Sequence, residues 1–184
     1  MDLEVLKYPV GKFEKPAEIN KDVLDNWIET IESLPEKVIK LVGNLSYDEL
    51  ELQYRPGSWN IKQLVHHLAD SHMNSFIRFK WILTEETPPI KPYNAVAWAT
   101  LPDANNEEIT HSITILEGLH KRWAILLRSL SEEELKRTYI HPEHNQRFTL
   151  EAMLGSYDWH CRHHLAHIKQ AIDLDGEFST EKAK

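Results

Sequence analysis

The chain has little of what many folds use for staples, tight turns and phosphate cradles. A single cysteine, Cys161, stands among 184 residues, so no internal disulfide can form and a reducing compartment is expected. Glycine is scarce at six residues, and neither GxGxxG nor GxxxxGKS occurs, which argues against Rossmann and P-loop enzymes. There is no GxSxG, and Gly155-Ser156 falls inside a predicted helix, so a serine hydrolase has little support. No apolar run approaches the roughly 20 residues that would span a bilayer. Met1 to Phe13 lacks the basic-then-apolar pattern of a secretory signal. Basic residues are also outnumbered: 21 Lys and Arg face 29 Asp and Glu, a formal charge of −8. A net anion repels phosphate backbones, so neither nucleic acid nor a membrane is an expected partner. A soluble, cytoplasmic protein with one domain spanning 1–184 is expected.

Helical spacing dominates what is present. The segment 1–19, with Pro9, Gly11 and Pro16, shows no helical period and is read as an extended arm lying on the body. Asn20 is a plausible N-cap for a helix to about Gly43, in which Pro35 predicts a kink. Ser46-x-x-Glu49 is a capping box for a short helix, and Pro56-Gly57 is a turn. A long helix follows from about Asn60 to Glu86. Pro88, Pro89, Pro92 and Pro102, with Tyr93 and Trp98 between them, make a long irregular connection of the kind that often carries function. A third long helix is expected from about Asn106 to Leu130, and Ser131-x-x-Glu134 opens another short one. His141-Pro142 to Arg147 reads as a loop, and Thr149 caps a fourth long helix ending near Gly176.

Four long amphipathic helices without a convincing strand pattern predict an all-α four-helix bundle. Ser46 to Tyr54 and Ser131 to Tyr139 both read SxxELxxxY, each between a long helix and a His-rich one. A duplicated helical hairpin, about 20–86 and 106–176, would explain the echo; so would two independent capping boxes.

Histidine is the abundant functional residue, with eleven in the chain, three of them within 66–72 and four within 160–167. On the last helix, Leu150, Met153, Leu154, Tyr157, Leu165, Ile168 and Ile172 form one apolar arc at about 100° per residue. His160 and His164 lie on or beside that arc, whereas His163 and His167 drift toward solvent. Residues four apart share a helix face, so two imidazoles at 160 and 164 can converge on one ion. The spacing is that of HExxH, but Cys161 replaces the glutamate, so the general base of a zincin is missing. On the second long helix the same count places His72 within the inner arc, His67 at its edge and His66 pointing away. Periodicity alone therefore favours His72 as a third ligand.

The residues around these histidines resemble the DinB/YfiT-like superfamily, on its YfiT branch of metal-dependent hydrolases. The likeness rests on Trp59 with His66-His67-Leu68-Ala69-Asp70-Ser71-His72, and on Trp159-His160 with His163-His164-Leu165-Ala166-His167-Ile168. Ile77 to Lys80, Leu83 to Pro88, Arg122-Trp123 and Tyr8-Pro9 extend it over essentially the whole chain. The resemblance implies a DinB-like four-helix bundle and one divalent ion, usually zinc or nickel. The histidine before Leu-Ala-Asp, His67, would bind that ion with His160 and His164. It also implies a homodimer.

Three neutral imidazoles leave open positions on a cation, and such a zinc site lowers the pKa of bound water to about 7. The expected function is a hydrolase acting on a small-molecule substrate. Two alternatives stand beside it. One is a transferase in which the metal ionises a low-molecular-weight thiol, an activity the superfamily includes. The other is a non-enzymatic, metal-stabilised binding module. Asp70 and Asp158 are candidate acceptors for the outer imidazole nitrogens. His163 and His167 are candidates for proton transfer at the rim. Cys161 is expected to be a small buried hydrophobe. Tyr93 and Trp98 can wall a pocket or anchor their loop, and Arg78 and Arg122 can hold an anionic group or form ion pairs. His111, His120, His141 and His144 are scattered, with at least two expected to face solvent.

Overall fold

The computed structural model describes residues 2–106, 108–142 and 146–177. Four long helices, α2 (Lys21–Val42), α4 (Ile61–Thr84), α6 (Thr110–Arg128) and α8 (Leu150–Leu174), form the bundle. Each of α2 and α4 packs against both α6 and α8, so α2 and α4 occupy opposite corners. The inward stripes meet in one core that includes Ile31, Leu34, Leu64, Phe79, Leu116, Trp123, Leu154 and Ile168. No helix among the described residues is long and apolar enough to cross a membrane.

Local chemistry accounts for most helix starts. The side chains of Asn20, Asn60 and Thr149 accept from backbone N–H groups in the first turns of α2, α4 and α8. Short helices α3 (Tyr47–Leu50) and α7 (Glu132–Leu135) each open with a complete capping box, Ser46 with Glu49 and Ser131 with Glu134. The echo between the two motifs reaches the core, since Leu50 and Leu135, and Tyr54 and Tyr139, are all buried. Helix α2 continues through Pro35, which is itself buried. Gly155 in the middle of α8 has a packing reason: a Cβ there would sit 2.7 Å from the Trp27 ring. That close approach seats α8 directly on α2.

Four local expectations are corrected. The N-terminal arm contains a helix, α1 (Leu3–Lys7), whose N-cap Asp2 accepts from the Glu4 N–H at 3.0 Å. Five residues are too few to display a helical period. The proline-rich connection carries a short helix, α5 (Ala95–Trp98), and a 3-10 turn at Asp103–Asn105. Helix α6 begins at Thr110 rather than near Asn106, because the Asn106 and Glu108 side chains turn back to accept from the N–H groups of Glu108 and Thr110. Where a loop was expected, β1 (Thr138–His141) pairs antiparallel with β2 (Gln146–Thr149), Tyr139 facing Phe148. Four residues a side give too short an alternation to recognise, and the hairpin draws support from the proline-rich segment, where Ile90 N–H donates to Ile140 and Ile140 N–H donates to Pro88.

Candidate metal centre

Helices α4 and α8 are packed neighbours in the bundle and bring His67, His160 and His164 together. Their ligand nitrogens all lie within 4.8 Å of one another. The Nε2 atoms of His67 and His160 are 3.3 Å apart, and the His164 ring stands 4.4 Å from His160 and 4.9 Å from His67, centroid to centroid. The Trp59 ring lies 4.7 Å from His67 and limits its rotation. Burial lowers the pKa of His67 to about 4, with the neighbouring His163 adding to it. Burial also holds His160 and His164 well below the ordinary imidazole range, reinforced by the surrounding rings. All three are therefore neutral at physiological pH, the form that offers a lone pair to a cation.

The donor set fits a divalent transition-metal ion. Two ligands on a tetrahedral ion at about 2.0–2.1 Å stand about 3.3–3.4 Å apart, the span between the two Nε2 atoms. Imidazole nitrogen is also the donor such ions prefer over oxygen ligands. A further atom bears on the fit: His164 Nδ1 is buried with no hydrogen-bond partner among the described residues.

His72 does not join this group. It is fully buried behind His160, with its Nε2 3.0 Å from His160 Nδ1 and its Nδ1 2.8 Å from His120 Nε2. Periodicity placed it correctly in the core but could not tell a ring within the cluster from one behind it. His120 is the residue that sequence reasoning missed. It is fully buried, and its Nδ1 donates to the Ile31 carbonyl at 2.5 Å. Its spacing from Leu116, Trp123, Ala124 and Leu127 on the inner stripe of α6 was the available signal.

Other assignments change as well. His66, which points away from the inner arc of α4, is buried by another route: its Nε2 donates to the Asn106 carbonyl and its Nδ1 accepts from Ser112. His163 and His167 are buried, not at a solvated rim. The N-terminal segment covers them, since Tyr8 approaches His163 and His167 Nε2 donates to the Lys7 carbonyl at 3.2 Å. His163 stacks on Trp159 at 4.3 Å and His167 on Tyr54 at 3.7 Å. With His164 they form a second histidine cluster within 4.8 Å, and Nδ1 of each lacks a hydrogen-bond partner.

Neither candidate carboxylate bonds a ligand imidazole among the described residues. Asp158 is held by Arg162, with contacts of 2.7 and 3.1 Å. Asp70 is half-buried, and burial, then the charge of Asp103, raises its pKa. Cys161 is fully buried, and burial pushes its thiol pKa far up, which leaves it a small hydrophobe. Arg78 donates to the Lys91 carbonyl at 2.7 Å and so pins the proline-rich segment to α4; among the described residues it has no carboxylate within 4.0 Å. Arg122 lies over the Phe76 ring. Tyr93 and Trp98 pack on each other at 4.5 Å. His111 is exposed, His141 is half-buried, and His144 lies outside the described residues.

Bundle and histidine cluster together define a helical protein with a candidate metal site. The chain belongs to the DinB superfamily, whose sequence model matches residues 26–168. It is 45% identical over 165 residues to YfiT of Bacillus subtilis (strain 168), covering 90% of this chain and 93% of that one. It is 47% identical over 163 residues to a relative from Bacillus cereus (strain 03BB102), covering 89% and 93%. Both relatives are named as candidate metal-dependent hydrolases. The solved structure of Bacillus subtilis YfiT, described as having an unusual four-helix bundle topology, superposes with a TM-score of 0.90 at 43% identity, over 95% of this chain and 99% of that one. A mycothiol-dependent maleylpyruvate isomerase shares the fold at 18% identity and a TM-score of 0.52, over 79% of this chain and 60% of that one.

Proposed function

We propose that His67, His160 and His164 hold one divalent cation, zinc or nickel, and that the chain is a metal-dependent hydrolase of a small-molecule substrate. The observation that carries this reading is the 3.3 Å approach of His67 and His160 Nε2 atoms from two helices far apart in sequence. The names of the Bacillus relatives support it independently. A divalent cation so held supplies Lewis-acid polarisation of a substrate oxygen and acidifies coordinated water.

The chain's own residues do the rest. Trp59 packs against His67, and His72 bonds the rear nitrogen of His160, so two of the three rings have little freedom. Of the four candidate residues around the site, Asp70, Asp158, His163 and His167, Asp70 is the one whose carboxyl has no hydrogen-bond partner among the described residues. Asp158 is tied to Arg162, and His163 and His167 are packed beneath the N-terminal segment. Asp70 lies one turn beyond His67 on α4, and its raised pKa suits a carboxyl that takes up and returns a proton. The buried, unpaired Cys161 fits a reducing, cytoplasmic setting. A homodimer, with neither nucleic acid nor membrane as partner, completes this reading.

The test is turnover. Zinc- or nickel-loaded protein is offered a panel of esters and amides, and separately a generic electrophile with and without small thiols. Thiol-independent cleavage that disappears in His67→Ala is the expected result. Consumption that requires a thiol would replace hydrolysis by thiol transfer. Unfolding on metal removal without any turnover would leave a metal-stabilised binding module.

A further inference from the structure

Pro35 stands in the interior of α2, where a proline has no N–H to give. The carbonyl four residues earlier, that of Ile31, is thereby left without its helical donor. His120 takes that place: its Nδ1 lies 2.5 Å from the Ile31 oxygen. A carbonyl oxygen carries no proton, so the proton in this bond belongs to His120 Nδ1. One proton on a neutral ring leaves His120 Nε2 bare. His72 Nδ1 lies 2.8 Å from that bare nitrogen and must therefore be the donor, which strips His72 Nε2. His160 Nδ1 lies 3.0 Å from it and must be the donor in turn. The consequence appears at the far end. His160 Nε2 is left as a lone pair, directed into the cluster 3.3 Å from His67 Nε2.

We propose that Pro35, His120 and His72 are positioning residues that fix the tautomer of His160 from the backbone of α2, so that its inward nitrogen is always the metal-binding one. The four atoms of origin lie on four different helices of the bundle: Ile31 on α2, His120 on α6, His72 on α4 and His160 on α8. The relay thus spans the fold, and no single helix could supply it. His120 and His72 are fully buried and His160 is half-buried, so each ring's outer partners are the neighbours already named and the order of donors and acceptors follows from the fixed Ile31 acceptor. The helix-breaking residue acquires a purpose here, since any other residue at position 35 would return an N–H to the Ile31 oxygen and compete with His120.

The inference rests on the reading of His160 as a ligand, but its first test does not need a metal. In metal-free, full-length protein labelled with ¹⁵N-histidine, long-range ¹H–¹⁵N correlation at neutral pH should show His120, His72 and His160 each protonated at Nδ1. A His160 protonated at Nε2, or a mixture of its two tautomers, overturns the proposal. In His120→Leu the His72 donor loses its acceptor, so both His72 and His160 should populate two tautomers. Zinc affinity, read by competition with a chromophoric chelator, should fall roughly 10- to 100-fold. His120→Gln retains an acceptor oxygen toward His72 and should recover most of that loss. Pro35→Ala should lower zinc affinity by a smaller factor without lowering the melting temperature, because alanine favours the helix. A folded His120→Leu variant with unchanged His160 signals and zinc affinity within twofold of the parent rejects the relay. A parent protein that binds no zinc while showing the expected tautomers rejects the metal reading and leaves the relay standing.

Discussion

His160 and His164 sit one turn apart on α8 and share the same candidate role, yet their rings meet different surroundings. His160 Nδ1 is bonded by His72, which is bonded by His120, which is bonded by backbone. The His164 ring packs against His163 and His167, and its buried Nδ1 has no hydrogen-bond partner among the described residues. One ring is oriented by a directed chain of hydrogen bonds, the other by packing. Directed bonds choose both the angle and the protonated nitrogen of an imidazole, whereas packing chooses only the angle. The region around His72 is therefore where changes at a distance should reach the metal. The region around His163 is where they should not.

The sharpest way to break that comparison is to remove the rings at its centre. His67→Ala and His160→Ala should each abolish stoichiometric metal binding, measured by calorimetry and metal analysis of dialysed protein. Equal metal content in His67→Ala and the parent rejects the assignment. His72→Ala comes next. It leaves a cavity and an unpaired nitrogen on each side, so a loss of about 2–4 kcal/mol in denaturant stability is expected. Metal affinity should drop roughly 10- to 100-fold without being lost. Complete loss in His72→Ala, matching His67→Ala, would make His72 a ligand and erase the distinction between front and rear.

Acid provides a graded probe of the directed side. Burial, opposed in part by the Ile31 bond, lowers the His120 pKa from its ordinary 6.5 to about 4. The unfolded chain therefore binds a proton at His120 before the folded one does. The stability linked to this ring is fully present above pH 6.5 and is lost as pH falls from 6.5 toward 4. The slope is at most about 1.4 kcal/mol per pH unit for one histidine. In metal-free protein, urea midpoints should fall with pH over this window, and His120→Gln should show a shallower dependence. An unchanged slope in His120→Gln would mean that the ring is not buried in its neutral form.

The smallest effect is expected on the packed side. His163 makes no hydrogen bond to His164, so His163→Ala should change metal affinity by less than about threefold, short of the range seen when an orienting partner is lost. A tenfold change would show that the second histidine cluster communicates with the first.

Local rules explain why the bundle was legible. Asn20, Ser46, Asn60, Ser131 and Thr149 announce helix starts because a cap needs only the next three residues. The β1–β2 hairpin and α1 escaped because four or five residues cannot establish a period, and both draw on partners far away in the chain. His160 and His164 were readable as a pair because residues four apart share a face on any helix. His67 was not preferred by periodicity over His72, and the likeness to the family's motif made that choice.

What the chain determined by itself was the set of helices, their caps and the face each one turns inward. Tertiary structure alone decided what lies opposite each face. A helical wheel reports where a side chain points on its own helix and is silent on the neighbour it meets. His163 and His167 were predicted to be wet because nothing in α8 says that the N-terminal segment will cover them. His120 looked incidental because its partners, Ile31 and His72, come from two other helices. Pro35 read only as a fault in α2, since the freed carbonyl matters only when a donor from another helix arrives to use it.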